Sequence, residues 1–449
     1  MMSSRVVKES VWAILGQCAA AGVGLLSIRI LTEMAPAGAF GKANLLLGLL
    51  TLGLTGAVSP TLNAQLRFYP DYKNRGKALA FLRVIKRRTL VGILVVMAAL
   101  VIGLPFAAPI IGVRVDTAEV VILSLTAVGL GLKGIEINRL NSEREQAAQS
   151  VWSGVEPAAV LCFSVVALAV SATAVSLLIG QLLGVSVMVL VFLVREGGWR
   201  DSGRTLPIVE ARQLGRELFG YGVPFVAMAA LSWMGNLGDR YVLGTVLGTA
   251  SVGIYAASFG LASKPILLVS GVVNQVLRPV LFEATSAQQE RKQRRVTAYW
   301  LLIVGTCGFG GAALFAIFGD TIAGIFLARS FRFGARSILA WVAFGYAFST
   351  LAQAIENQLM ARYRPGRLIL PQLVGGLANL ALALYLIPIC GVVGAAQANM
   401  GSFAIQFVVT LVMWLCLGNG PPVRKSVVLE GGTPNDGDSG RGTTLPECA

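Results

Sequence analysis

RILTEMAPAGAFGKANLLLGLL (Arg29–Leu50) ends one apolar run, turns at Pro36 and opens a second run at Gly41. Shifted by 212 residues, it falls on YVLGTVLGTASVGIYAASFGLA (Tyr241–Ala262). Identities are few: Leu31 with Leu243, Gly41 with Gly253, Gly48 with Gly260, and Leu49 with Leu261. The layout carries the match. Each copy has an apolar span, a short turn, a glycine opening the next span, and then a basic loop. Two such halves in the same orientation, related about the membrane normal, place a polar site between two helical bundles.

A bilayer core of roughly 30 Å is crossed by about 20 apolar residues in a helix. Working outward from the repeat, twelve such runs occur, at 11–32, 41–64, 89–111, 117–138, 150–170, 173–194, 218–245, 250–275, 297–319, 335–358, 368–388 and 391–417. Composition agrees, with 55% hydrophobic and 13% charged residues, about half the charge usual in soluble chains. The expected fold is an all-α membrane protein of about 12 transmembrane helices in two pseudo-symmetric six-helix bundles. Residues 1–195 would form the N-terminal bundle, 196–217 a cytoplasmic linker and 218–417 the C-terminal bundle. Residues 418–449, rich in Gly, Pro and Asp, read as a disordered cytoplasmic tail. Arg5 and Lys8 precede an apolar segment that runs from Val11 to Ile30. That is too long for the core of a signal peptide, so it reads as an uncleaved first span.

Lysine and arginine accumulate in cytoplasmic loops. Alternate loops and both terminal segments hold 29 of the 37 Lys and Arg residues, whereas the other loops hold only Arg114, Arg329, Arg332 and Arg336. Both termini are therefore expected in the cytoplasm. The +15 net charge is then mostly topology, and no nucleic-acid partner is implied. Basic runs such as Lys86-Arg87-Arg88 and Arg291–Arg295 suit anionic membrane lipids.

The chain has no histidine, and its six cysteines are scattered without a CxxC pair. The commonest general base and the usual zinc patterns are thus missing. Gly129–Gly134 matches GxGxxG but ends an apolar helix instead of following a strand, so dinucleotide binding is not expected. There is no Walker A sequence. No enzyme activity, cofactor, metal or catalytic residue is expected. GxxxG matches at Gly180–Gly184 and Gly244–Gly248 are explained by helix packing.

Topology leaves four cations unexplained: Arg29, Lys42, Arg240 and Lys264. A charge inside a span costs roughly 3 kcal/mol unless paired or hydrated, so it tends to mark a site. Arg29 and Lys42 lie near span ends, where snorkelling to the headgroups is the alternative. Asp239 and Glu356 are the carboxylates most clearly inside a span. Asp239 and Arg240, as sequence neighbours, project in different directions and are expected to face other spans. Asn236, Gln275, Gln353 and Asn357 lie within or at the ends of spans. Singly, such amides bond neighbouring helices. Together with the cations they suggest a polar cavity lined by both halves, suited to an anion such as a diphosphate.

Several segments resemble one family. Tyr221-Gly222-Val223-Pro224 followed by Asn236–Gly244 resembles the start of the second half of polysaccharide-unit flippases. These are the Wzx-type members of the multidrug/oligosaccharidyl-lipid/polysaccharide (MOP) exporter superfamily, which includes the MATE transporters. Ala250–Ala257 resembles the family's Gly-x-Tyr opening of the eighth span, and Asn379–Pro388 with Gly391–Ala396 resembles its penultimate loop. Arg29-Ile30-Leu31 with Phe40-Gly41 also fits. The resemblance covers nearly the whole chain.

It implies translocation of undecaprenyl-diphosphate-linked oligosaccharide repeat units across the bacterial inner membrane. The products would feed exopolysaccharide or O-antigen-type lipopolysaccharide biosynthesis. Alternating access between the two bundles would move the cargo, and a polysaccharide polymerase and chain-length proteins would be partners. Arg29, Asp239 and Arg240 match family charge positions; Lys42, Lys264 and Glu356 follow from burial alone. Few membrane acids are visible, so Asp239 and Glu356 stand as the ion-coupling candidates. The rival readings are a cation-coupled drug exporter of the same fold, a peptidoglycan-precursor flippase, and a membrane polysaccharide polymerase or ligase.

Overall fold

A computed structural model of the protein describes residues 4–143, 145–195, 207–362 and 369–417. The tail 418–449 and residues 196–206 of the expected linker lie outside them. The described residues form helices α1 (Ser4–Met34), α2 (Ala37–Ala57), α3 (Ser59–Asn74), α4 (Ala78–Ala98), α5 (Leu104–Ile110), α6 (Thr117–Glu143), α7 (Gln146–Val170), α8 (Ala174–Arg195), α9 (Ile208–Ser286), α10 (Glu290–Phe326), α11 (Ala335–Arg362), α12 (Ile369–Cys390) and α13 (Val392–Leu417), with no strand. A π-helical stretch, Ala99–Gly103, joins α4 to α5, so the run from Ala78 to Ile110 acts as one span.

Among the described residues, eleven helices are long and apolar enough to cross a membrane. Helix α9 makes two crossings. It runs for 79 residues but breaks at Gly248, whose φ of 79° and ψ of 174° are not helical. Only glycine adopts that backbone readily. The two arms of α9 correspond to the seventh and eighth expected spans, 218–245 and 250–275.

The 212-residue shift reappears in the backbone. Helices break at Pro36 and at Gly248, and end at Asn74 and at Ser286. Positive φ follows at Gly76 and at Gln288. The next helices then start at Ala78 and at Glu290. Each of these pairs is separated by 212 residues. The second span of each half therefore carries the same long extension. In the C-terminal half it is unbroken. In the N-terminal half it breaks at Val58, where φ is −106°, and α3 begins with Ser59-Pro60. Proline cannot donate the ladder hydrogen bond and crowds the preceding turn. The expected span 41–64 overran this break.

Each half has its own apolar core. Leu46 and Leu50 of α2 meet Leu100, Leu123, Ala127 and Leu178 in the N-terminal half. Tyr255, Phe259, Leu339, Val342, Ala343 and Ala395 centre the C-terminal half, which also takes in Ile28 and Leu45. Large apolar side chains on the outer surface, including Leu94, Ile102, Phe106, Ile317 and Ile389, are exposed. Lipid is a compatible solvent for them, since helices satisfy their backbone polar groups internally.

The halves meet at both ends of the bundle and through α1–α9 hydrogen bonds between them. At the Pro36/Gly248 end, Gly41 lies against the carbonyl of Thr249, and Gly253 lies against the carbonyl of Ala37. A Cβ at either glycine would collide with that backbone. Ala37 and Thr249 are themselves repeat mates, so the contact is self-complementary, like the interface of a two-fold dimer. Ala37-x-x-x-Gly41 and Thr249-x-x-x-Gly253 are small residues spaced one turn apart, which lets the helices approach closely. Phe40 packs edge-on against Phe331 near this seam, with ring centroids 5.8 Å apart.

At the opposite face, which carries the basic loops, α3 bridges to the start of α9. Phe68 and Tyr221 stack edge-on at 5.7 Å. Lys77 Nζ pairs with Glu210 Oε2 at 2.7 Å. On its other side α3 is tied to α6. The Gln65 amide donates to the Ile135 carbonyl at 3.0 Å, and the Tyr69 hydroxyl donates to Glu143 Oε1 at 2.6 Å. Burial beside the Glu143 carboxylate pushes the Tyr69 phenol above its ordinary range.

Candidate functional site

The charged residues singled out from the sequence do not form one cluster. Asp239 is fully buried inside the C-terminal half. Its Oδ2 accepts a short hydrogen bond from the Tyr255 hydroxyl across the Gly248 break. Its Oδ1 accepts the Arg240 backbone N–H at 2.8 Å. No ion pair joins the Asp239 and Arg240 side chains, which reach the neighbouring rings of Tyr255 and Phe259, 5.6 Å apart. The Arg240 guanidinium lies over the Phe259 ring, 4.7 Å from its centroid. Tyr346 of α11 stacks on Phe259 at 5.6 Å, and Phe403 of α13 on Tyr346 at 5.4 Å. The buried carboxylate and the half-buried guanidinium thus sit in an aromatic wall built from three helices. Arg240 Nε is buried without a hydrogen-bond partner, an arrangement that leaves donor capacity open to an anion.

Lys264, on the second arm of α9, reaches across to α1. Its Nζ donates to the Gly24 carbonyl at 2.8 Å. Two to three turns toward the basic face, the Gln17 amide donates to Gln275 Oε1 at 3.2 Å. These bonds stitch together helices from different halves.

Lys42 and Arg29 differ from those two cations. Lys42 Nζ is 2.7 Å from Glu119 Oε1, and that carboxylate is only 1% exposed. Glu119 Oε2 also accepts the Asp116 N–H at 3.0 Å, forming part of a capping box at the start of α6. Arg29 Nη1 lies 3.0 Å from Glu33 Oε2 on its own helix, and both side chains are well exposed. Glu356 has no ion pair among the described residues; its Oε1 accepts from the Gln406 amide of α13 at 3.3 Å.

Two of the four amides bond locally. Asn236 donates to the Ser232 carbonyl at 2.7 Å, and Asn357 donates to the Gln353 carbonyl at 2.8 Å, each within its own helix. Gln353 Oε1 accepts from the Ser270 hydroxyl of α9 at 3.0 Å.

Two acids escaped the sequence reading. Glu119 sits within the expected fourth span, and Glu156 of α7 lies 2.5 Å from Lys133 Nζ. The stock of membrane carboxylates is therefore larger than Asp239 and Glu356. Asp116-x-x-Glu119 at the start of an apolar run was the available signal for the first. For Glu156 the signal was its position within the expected span 150–170. Its partner Lys133 was counted as a loop cation.

A cavity of about 520 Å³ opens beside Pro105–Val115, with Arg114 as its one charged lining residue. None of the expected site residues lines it. Among the described residues, no cluster of His, Cys, Asp and Glu is suited to a metal ion.

Comparisons with known proteins place this geometry. The chain covers 91% of its length on a structure titled lipid II flippase MurJ, inward closed conformation, and 87% of that chain, at 14% identity and a TM-score of 0.69. An inward-facing multidrug resistance MATE family transporter of the MOP superfamily aligns at 13% identity and a TM-score of 0.63, covering 90% of this chain and 97% of that one. The outward-facing MATE conformation gives 12% identity, a TM-score of 0.60, and coverage of 92% and 96%. At such identities the likeness establishes the fold alone. No curated protein sequence matches. Residues 84–333, more than half of the chain and including Asp239, Arg240 and Lys264, match the family described as polysaccharide biosynthesis protein. This multi-pass helical membrane protein, folded like MurJ and the MATE transporters, belongs to the polysaccharide biosynthesis protein family.

Proposed function

We propose that the chain flips undecaprenyl-diphosphate-linked oligosaccharide units across the bacterial inner membrane and catalyses no covalent chemistry. Both termini lie in the cytoplasm, and residues 1–195 and 218–417 move as the two bundles of an alternating-access cycle. The family match and the fold support a transporter of polysaccharide precursors. The observation that carries the anionic cargo is the state of two cations on α9. Neither Arg240 nor Lys264 has an ion pair among the described residues; one rests on an aromatic ring and the other on a neutral carbonyl. A bare diphosphate is too costly to move through hydrocarbon. Half-buried cations without an ion pair lower that barrier, whereas Lys42 and Lys133 are already neutralised.

Asp239 and Glu356 remain the coupling candidates, because neither carboxylate is in an ion pair among the described residues. A polymerase and chain-length proteins would receive the product. A deletion strain is expected to accumulate lipid-linked units on the cytoplasmic leaflet and to recover when the gene is restored. Unchanged surface polysaccharide in that strain would refute the proposal, and a drug-sensitivity phenotype in its place would favour a drug exporter of this fold.

A further inference from the structure

The first arm of α9 is held on two sides. Gly222 lies against Pro60 of α3. The Trp233 indole donates to the Gly48 carbonyl at 2.9 Å, and the Tyr241 hydroxyl donates to the Leu45 carbonyl at 2.8 Å, both on α2. Toward α12, Gly235 lies close to Gly376, and its carbonyl accepts the Asn379 amide at 2.6 Å. At about 3.6 residues per turn, these contacts leave one further face of the arm. Tyr221, Phe225, Ser232 and Asn236 fall on it. At its far end Asp239 and Arg240 reach Tyr255 and Phe259 of the second arm. The face therefore looks into the bundle and not out to lipid.

Tyr221 and Ser232 are exposed on this inward face, and Phe225 and Asn236 are partly so. Polar side chains at membrane depth line the bundle interior or a water-filled cavity, so the exposure marks an open crevice. The Asn236 amide nitrogen donates within its own turn, to the Ser232 carbonyl at 2.7 Å and to Ser232 Oγ at 3.4 Å. Among the described residues, Asn236 Oδ1 and the Tyr221 hydroxyl have no hydrogen-bond partner. Toward the basic face, the Tyr221 and Phe225 rings stand on successive turns with centroids 5.4 Å apart, and Phe68 of α3 abuts Tyr221 edge-on. The crevice thus grades from aromatic rings to neutral hydroxyl and amide groups.

The internal repeat does not require this stripe. The repeat mates of Ser232 and Asn236 on α1 are Ala20 and Gly24. The shared architecture is met there by small residues, so the polar track belongs to one half alone. A pyranose ring matches it: the ring has an apolar C–H face and a rim of hydroxyls. Tyrosine and phenylalanine offer rigid contact area at little entropy cost, and the serine hydroxyl and amide oxygen supply donor and acceptor. An isoprenoid chain has no use for the amide, and a phosphate has none for the rings.

We infer that the first arm of α9 carries the sugar-binding track of the cargo site, with pyranose rings stacked on Tyr221 and Phe225 and their hydroxyls bonded to Ser232 and Asn236. This rests on the lipid-linked cargo proposed above and assigns the residues that read its carbohydrate.

The test uses the full chain in lipid nanodiscs and two radiolabelled probes. One is the undecaprenyl-diphosphate-linked oligosaccharide extracted from cells lacking the gene; the other is undecaprenyl diphosphate without sugar. The parent should retain the sugar-bearing lipid about ten-fold more tightly than the bare one. Phe225→Leu, which keeps an apolar side chain, and Asn236→Ala, which removes no bond between helices, should each cut that preference about three-fold or more. Retention of undecaprenyl diphosphate should stay as in the parent, which also shows that the variants fold. Phe219→Leu, a 68% exposed position on the same helix, should change neither. Variants that keep the full preference, or that weaken both lipids equally, would overturn the track. A parent that retains both lipids alike would also overturn it and leave the anionic cargo standing. Retention of neither lipid by the parent would overturn both readings.

Discussion

The self-complementary seam at Gly41 and Gly253 allows a quantitative test of the repeat. Gly41→Ala would place a methyl group against the Thr249 carbonyl, and Gly253→Ala would place one against the Ala37 carbonyl. The obstacle in each case is backbone, which cannot rotate aside like a side chain. The helices α2 and α9 must separate instead. Overpacking of this kind costs about 1–3 kcal/mol, or roughly 5- to 150-fold in the population of the closed seam at about 1.4 kcal/mol per decade. Because the two sites are repeat mates across one interface, the single substitutions should cost nearly the same. Once the helices have parted for one methyl group, the other enters vacated space. The double mutant should therefore cost less than the sum, with a coupling of about 0.5–3 kcal/mol.

The assay is thermal unfolding in detergent combined with modification of a cysteine placed at Thr32. That residue is 2% exposed, and its hydroxyl accepts the Ala328 N–H of the other half at 3.3 Å. Both alanine variants should melt lower and react faster with a membrane-impermeant maleimide. Unequal single effects, or strict additivity, would refute the reciprocal contact.

Other consequences can be checked separately. Lys42→Met strands the Glu119 carboxylate, which is buried to within 1% of full exclusion. It should cost about 3–5 kcal/mol, and Lys42→Met with Glu119→Leu should recover most of the loss in a melting experiment. Tyr255→Phe removes the hydrogen bond to the Asp239 carboxylate and should cost about 1.5–3 kcal/mol; Asp239→Asn keeps an acceptor but loses the charge, so it should cost less, and the double mutant should resemble Tyr255→Phe. Tyr69→Phe removes the bond to Glu143 and should raise amide hydrogen exchange in α3 without changing α10.

Much of the fold was legible because a membrane simplifies the code. Apolar length alone located the crossings, and Pro36 with Gly41, repeated at Gly248 and Gly253, fixed the internal register. Even the break in α9 was implied by expecting two spans where one helix of 79 residues runs. The termination of α2 was readable from Pro60 but was overrun, because the apolar run masked the missing donor. The site was less legible. Lys42 looked like an unspent cation because its partner, Glu119, lies 77 positions away. Only tertiary packing brings the two together. Lys264 was identified as buried, yet the Gly24 carbonyl has no sequence signature at all. Sequence finds charges in unfavourable places, and the packed structure decides which of them are already cancelled.

The central claim is tested most directly by reconstituting the protein in liposomes that carry an undecaprenyl-diphosphate-linked oligosaccharide labelled on its sugar. Loss of label from a leaflet probed by an impermeant lectin or hydrolase reports translocation. The parent protein should accelerate exchange between leaflets over protein-free vesicles, and Lys264→Gln should be slower by an order of magnitude or so, since a lone buried charge contact contributes about 1.5–3 kcal/mol. Translocation no faster than in empty vesicles, from correctly folded protein, would contradict the account.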